Sequence, residues 1–472
     1  MKLSLVYFII STLFSSLAYT QTNTWTGATD TDWHKACNWS LGVVPICGHD
    51  VIIPDLANDP DITNIAHCRT IAIQGNAIVD LNSSGSGRLD IGLSGGCSGT
   101  AADNGGCGAP NCTTWSVDYT AFNDMPGAVV KDATGLYVVG SEGLAAAGSN
   151  QWRMEKRDLV TGAILWNQNT TFTGNAFESA SAVAVDGTGV YVTGRDYTPG
   201  FFTPNARIEK RNLSTGALIW SKTSATSTVL YDIETDGTNN YSGGIDTNPL
   251  LEKRNNTNGN IVWSQSIPIA GTASAWITDI TLDGSFIYIN ISAFTTGYTD
   301  GYSIVQKRNQ SDGNLVWSQT VNPYVGTPAD GMNAIAVDGT GVYLGGKERT
   351  GASTSRWYMQ KRNLSTGALL WTQTSTPSVA SLSVSKVEVN GSGAYFLGTD
   401  FLGGTNYQWR VEKRNLSTGA LVCTQSTNPG ASYDFPGGLV LTSTGYFVVG
   451  GKDVTLPANV STWYIENQCT CP

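Results

Sequence analysis

Short apolar strings, each alternating with polar positions and bounded by Gly, Asn, Asp, Ser or Thr, recur along most of the chain. They are of two kinds. One is Glu155-Lys156-Arg157-Asp158-Leu159-Val160-Thr161-Gly162-Ala163-Ile164-Leu165-Trp166. It returns as EKRNLSTGALIW ending at Trp220, EKRNNTNGNIVW at Trp263, QKRNQSDGNLVW at Trp317, QKRNLSTGALLW at Trp371 and EKRNLSTGALVC at Cys423, with spacings of 54, 43, 54, 54 and 52 residues. The other kind starts at Ala128 (AVVKDATGLYVVG), Ala182, Asp232, Asp279, Ala334, Lys386 and Gly438, making seven copies against six. Each string reads as two short strands around a tight turn, because Asp-Gly, Asn-Gly and Thr-Gly supply the positive φ that such turns need.

One string of each kind makes a four-stranded antiparallel sheet of roughly fifty residues, and repetition at that period without helices predicts a β-propeller. The missing seventh copy is divided between the ends. Trp463-Tyr464-Ile465-Glu466 starts a third strand with no fourth after it, while Thr114-Trp115-Ser116-Val117 matches the fourth-strand sequence Val262-Trp263-Ser264-Gln265 with nothing before it. The expected fold is all-β: a seven-bladed propeller over residues 113–472, closed by its N-terminal strand.

The pattern Lys156-Arg157-Asp158-x-x-Thr161-Gly162-x-x-x-Trp166 resembles the docking repeat of PQQ-like, quinoprotein-type propellers. The resemblance implies that Trp166, Trp220, Trp263, Trp317 and Trp371 pack against the neighbouring blade. Two departures stand out: Lys takes the place of a small Ala throughout, and Asn replaces Asp in five copies. PQQ-dependent dehydrogenases carry a vicinal cysteine pair near the cofactor, and this propeller has no Cys-Cys dipeptide. PQQ is therefore not expected, and relatives with this repeat also serve as protein-binding scaffolds.

Composition adds location and charge. The 472 residues include 27 Lys+Arg and 37 Asp+Glu, a net charge of -10, which disfavours nucleic acid as a partner because phosphates need a basic face. Residues 1–20, with Lys2 and an apolar run before Ala18-Tyr19-Thr20-Gln21, read as a secretory signal peptide. No other stretch is long and apolar enough to span a bilayer as a helix. Secretion or display at the cell surface follows, and disulfides with it. Residues 21–96, opening Thr24-Trp25-Thr26-Gly27 and continuing Asp50-Val51-Ile52-Ile53-Pro54, resemble solenoid-like stretches of secreted Bacteroidetes surface proteins and form a small β-solenoid-like module. A linker follows over 97–112. Of the nine cysteines, Cys112 is expected to face Cys469 or Cys471 and lock the ring. Cys37, Cys47 and Cys68 are expected to contain one pair, and Cys423, at a docking-Trp position, is expected to be a buried thiol.

In such a ring the turns D-G-T-G and L-S-T-G share one face, while the long, varied connections share the other, where recognition usually sits. After the second strands of six blades come Glu142, Asp196, Asp246, Glu348, Asp400 and Asp453, and shortly before several first strands lie Asp124, Glu178, Asp330 and Asp434. Two readings stand side by side. The acids converge on one mouth of the channel, where calcium or a cationic partner would relieve their repulsion, or they pair locally with arginines and backbone N–H groups. Tyr197, Phe201, Trp276 and Tyr302 are candidates for stacking on a glycan or anchoring a protein. The Glu/Arg pairs of the repeat, such as Glu155/Arg157, read as structural salt bridges. The three histidines, His34, His49 and His67, all precede the propeller, so it can assemble neither a Ser/His dyad nor a multi-His metal site. The expected function is non-catalytic recognition of an extracellular protein or glycan. A polysaccharide hydrolase or lyase using the acids is the first alternative, and a PQQ-dependent oxidoreductase the second.

Overall fold

The computed structural model describes residues 21–469 except 28–29, 36–37, 40–43, 46–48, 64, 82–87, 92–113, 120–123, 145–149, 172–177, 198–203, 225–226, 327–329, 352–353, 376–381, 405 and 454–460. Residues 1–20, expected to be a signal peptide, lie outside the described residues, as do Cys37, Cys47, Cys112 and Cys471. The chain divides into two compact units, Met1–Asn111 with Pro472, and Cys112–Cys471.

In the first unit, Gln21–Thr24, His49–Ile53 and Thr70–Ile73 pair in parallel, as do Ile65–Cys68 and Arg88–Ile91. Single bridges join Asp32, Asp61 and Asp80 in the same sense. Parallel pairing of successive short segments is the geometry of stacked β-coils. Trp25, Trp33 and Trp39 fill the interior, edge to face at 5.0 and 4.6 Å. Cys68 is a buried free thiol rather than half of a disulfide, and burial pushes it up to about 11.

The second unit is seven four-stranded antiparallel sheets. Their first strands, Met125–Lys131, Ser179–Asp186, Val229–Thr235, Thr272–Asp283, Gly331–Asp338, Val384–Asn390 and Phe435–Leu441, line one central channel. We number the blades one to seven in that order. The seventh is completed by Trp115–Tyr119, which runs antiparallel to Ser461–Cys469 with Trp463 opposite Tyr119 and Asn467 opposite Trp115. The ends of the unit therefore meet as the split repeat predicts. Arg153 of blade one lies 3.8 Å from the centroid of the Tyr119 ring across this seam.

The docking residues explain why the blades stay together. Trp166, Trp220, Trp263, Trp317 and Trp371 each donate Nε1–H to a carbonyl in the third-to-fourth turn of the next blade, those of Leu213, Asn256, Gln310, Leu364 and Leu416, at 3.0–3.2 Å. Trp115 does the same to Leu159 at 3.2 Å, from blade seven to blade one. The lysines of the repeat converge on the same atoms: Lys156, Lys210, Lys253, Lys307 and Lys361 donate to those five carbonyls at 2.9–3.1 Å. Period-two alternation turns each lysine away from the flanking arginine. That arginine instead closes its own turn, as Arg157 to the Gly162 carbonyl at 2.8 Å and Arg308 to Gly313 at 2.8 Å. The turn glycine must be glycine twice over. Gly216 has φ of 69°, and a Cβ there would sit 2.7 Å from the Trp166 ring.

Blade six departs from this arrangement. Cys423 is not a packing thiol: both Cys423 and Cys469 are disulfide-bonded. A covalent link is available there because the residue sits where the other blades direct an indole toward the next blade.

Truncating one docking indole tests how much each seam contributes. Trp317→Ala removes a nearly buried ring together with its hydrogen bond and is expected to cost about 3–5 kcal/mol in urea-induced unfolding.

Candidate functional site

The sequence-level acidic ring is not one cluster. Asp124 is fully buried and accepts the Gly143 N–H at 2.9 Å, tying the end of the second strand to the start of the first. Asp330 takes the Arg349 N–H in the same way, Asp434 accepts from Gly430 at 2.8 Å, and Glu178 is fully buried. Three of the later set are engaged as well. Glu142 accepts from Arg153 at 2.9 Å and from Tyr119 at 3.0 Å, Glu348 pairs with Arg356 at 2.9 Å, and Asp400 accepts from Gln408 at 3.0 Å. Asp196 is buried, and that burial raises its carboxyl despite Arg207. Asp246 is exposed. The side chain of Asp453 lies outside the described residues. Among the described residues no three His, Cys, Asp or Glu side chains are placed to hold a metal ion.

The aromatic candidates divide too. The Tyr197 side chain and Phe201 lie outside the described residues. Trp276 is half-buried and stacks on Phe294 at 5.6 Å, and Phe294 meets Tyr298 at 6.0 Å. Tyr298, at φ 55°, is 56% exposed. Tyr302 lies beside Asp300, and burial raises its phenol. A second group was not singled out as a cluster by sequence: Phe401, Tyr407, Tyr433 and Phe435 follow one another at 4.9, 5.2 and 5.9 Å. Hydrogen bonds from Tyr407 N–H to the Ser432 carbonyl and from Asp434 N–H to the Tyr407 carbonyl join these rings across blades six and seven. Both groups stand at the end where the varied connections leave the sheets. In contrast, Trp152, Trp357, Trp409 and Trp463 are fully buried in the sheets.

The channel holds residues that the acidic pattern missed. Each first strand carries a register shift just before its channel position, at Ala182, Asp232, Asp279, Ala334 and Lys386 among others. Such a bulge re-aims the following side chain. Where the other blades place Ala or Gly, these strands supply Asp232 and Glu234, Asp279, and Lys386 and Glu388, all lining one cavity of about 170 Å³. Asp232 accepts the Ile280 N–H at 2.7 Å and Asp279 the Ile335 N–H at 2.8 Å, each bonding the next blade. Lys386 reaches from blade six to Asp279 of blade four at 2.9 Å, and 30% of its side chain stays open to the lumen. Burial holds Asp232 well above the usual carboxylate range, with Asp279 adding to the effect. Burial also pushes Glu234 up to about 7 and Glu388 up to about 8. Burial alone would lower Lys386, yet Asp279 and Asp232 lift it above the usual lysine range. The signal was present in the sequence: Asp232-x-Glu234, Asp279-x-Thr281 and Lys386-x-Glu388 stand where the other repeats read Ala-x-Ala, Ala-x-Val or Gly-x-Val.

A family model described as a domain of unknown function, DUF8693, matches residues 24–91. No curated protein matches the chain. Among solved structures, BamB from Moraxella catarrhalis aligns at 13% identity and TM-score 0.38, over 75% of this chain and 100% of that one. Quinohemoprotein alcohol dehydrogenase from Comamonas testosteroni aligns at 10% identity and TM-score 0.45, over 76% and 78%. A second such dehydrogenase, ADHIIG from Pseudomonas putida HK5, aligns at 12% identity and TM-score 0.39, over 59% and 56%.

One buried acid lacks the arginine that its counterparts have. Glu412 pairs with Arg410 and Arg414, but Glu466, at the same position in blade seven, is followed by Asn467 and Gln468, and burial pushes it up to about 7. A carboxyl raised in the folded state costs stability as pH climbs from its unfolded value, near 4.5, through about 7. Glu466→Gln is expected to flatten that decline and to raise Tm at pH 8, measured by thermal unfolding across pH 5–8.

Proposed function

We propose that the protein is an exported, non-catalytic recognition scaffold whose long-connection face binds an extracellular protein or glycan. The observation that carries this reading is the pair of ring clusters, Trp276–Phe294–Tyr298 and Phe401–Tyr407–Tyr433–Phe435, at the end where the blades differ most. Phe435 of the second cluster is 48% accessible, and Leu402, next to Phe401, is 51% accessible, so the cluster carries exposed apolar surface. Rings held by a rigid sheet offer large contact area with little loss of side-chain freedom.

The hydrolase or lyase alternative needs a carboxylate free to move protons at the substrate. Glu142 and Glu348 are instead held by arginines, and Asp124 and Asp330 by backbone N–H groups. PQQ, a tricarboxylate, suits the channel poorly: four carboxyl side chains line it, and Lys386, its single lining cation, is committed to Asp279. The N-terminal unit serves in this reading as a spacer or attachment module.

Binding to a glycan array and to a cell-surface protein extract, read with the full secreted chain, tests the proposal. Tyr407→Ala with Phe435→Ala is expected to weaken binding by roughly 10–100-fold, as for aromatic anchors elsewhere, with Tm little changed. Release of reducing sugar or unsaturated uronate from a polysaccharide would overturn it.

A further inference from the structure

Lys386 and Asp279 meet across the channel, from blade six to blade four and 107 residues apart in sequence, with Nζ 2.9 Å from Oδ1. An amine against a carboxyl can form an amide as well as an ion pair. What favours the amide is a pair held in place, a polarised carboxyl carbon and an acid beside it to move protons.

The lumen supplies all three. Asp279 is buried, and its other oxygen, Oδ2, accepts the Ile335 N–H at 2.8 Å. That bond fixes the carboxyl and draws charge from its carbon, as an oxyanion donor does. Asp232, buried on the first strand of blade three, hydrogen-bonds the Asp279 carboxyl and is itself fixed by the Ile280 N–H at 2.7 Å. Two carboxyls in contact hold a proton between them, because two like charges so close are costly. Ile280, Ile335 and Val387 line the same cavity, with Glu234 and Glu388, and the lysine gives its hydrogen bond to Asp279.

We propose that Lys386 and Asp279 condense to an isopeptide bond, a covalent strut across the channel from blade six to blade four, with Asp232 as the acid–base that moves the protons. The resting pair is ammonium and carboxylate, and the two aspartates lift the lysine above its usual range. Passing one proton from Nζ to Oδ1 gives the neutral amine and neutral acid that react. A bond made once per molecule needs that state only rarely. Nζ then attacks Cγ of Asp279 while Oδ2 stays on the Ile335 N–H. Asp232 gives its proton to the departing Oδ1 hydroxyl and takes one from the nitrogen, so it ends as it began. The Cγ–N bond forms, the Cγ–Oδ1 bond breaks, and one water leaves into the lumen. The balance needs no co-reactant.

Peptide mapping of the full chain, reduced and denatured before trypsin digestion, reads the bond. Trypsin does not cut at an acylated lysine, so the parent is expected to yield a branched peptide joining residues 255–307 to residues 363–410, lighter than their sum by one water. Lys386→Arg keeps the charge and is expected to remove the branched peptide while leaving the circular dichroism spectrum unchanged. Asp232→Asn keeps an acceptor for the Ile280 N–H. It is expected to fold but to be recovered largely unlinked, since losing a positioned acid slows such a step roughly 100-fold. Separate peptides 363–386 and 387–410 from the parent, with no branched product, would overturn the strut. A folded Asp232→Asn chain as fully linked as the parent would remove Asp232 from the chemistry.

Discussion

At five of the seven seams, one backbone carbonyl in the turn between the third and fourth strands receives both an indole N–H and a lysine ammonium from the preceding blade. The rest of the propeller depends on this shared acceptor. A carbonyl has two lone pairs, so both donors can be satisfied. The paired donors fix the neighbour at one height and one angle, and five seams are built this way. Lysine in place of a small residue in the docking repeat is thus structural. Its stem runs past a tyrosine of its own blade, as Lys156 does over Tyr137 at 4.9 Å, and its charge is spent on a neutral acceptor inside the seam. The two irregular seams each use something else. Blade seven reaches blade one through Trp115, and blade six carries a disulfide-bonded cysteine at the indole position.

Because docking is handled far from the axis, the first strands are free to vary. Most have alanine or glycine at the position following the bulge, which lets seven strands approach one another. Blades three, four and six replace it with Asp232, Asp279 and Lys386, and those side chains form bonds that cross from blade to blade inside the lumen. The repeat therefore tolerates charge at its narrowest point, where charge is most costly, by giving the aspartates backbone N–H partners and the lysine a counter-ion.

The acids near the long connections show the opposite economy. They resemble a ring in sequence because each blade needs a hydrogen-bond acceptor where its second strand ends. Asp124 and Asp330 take the N–H groups of Gly143 and Arg349, and Glu142 neutralises the buried Arg153. A position that repeats with the period of the fold is more readily explained by the fold than by a ligand. The ring clusters at the same end do not repeat from blade to blade, which is why they carry the functional reading.

The amino-acid sequence by itself determined the blade, the number of blades and the closure of the ring by Trp115–Tyr119. Each of these follows from local turn chemistry and from a period that can be read along one dimension. It also determined which tryptophans dock and that the Glu/Arg pairs are internal. The direction of the acids, the grouping of Tyr407 with Tyr433 and the bond of Lys386 to Asp279 were decided only by the tertiary structure. Those contacts join residues dozens to more than a hundred positions apart on different blades, and a repeat period fixes which strand a residue occupies but not what faces it across the ring.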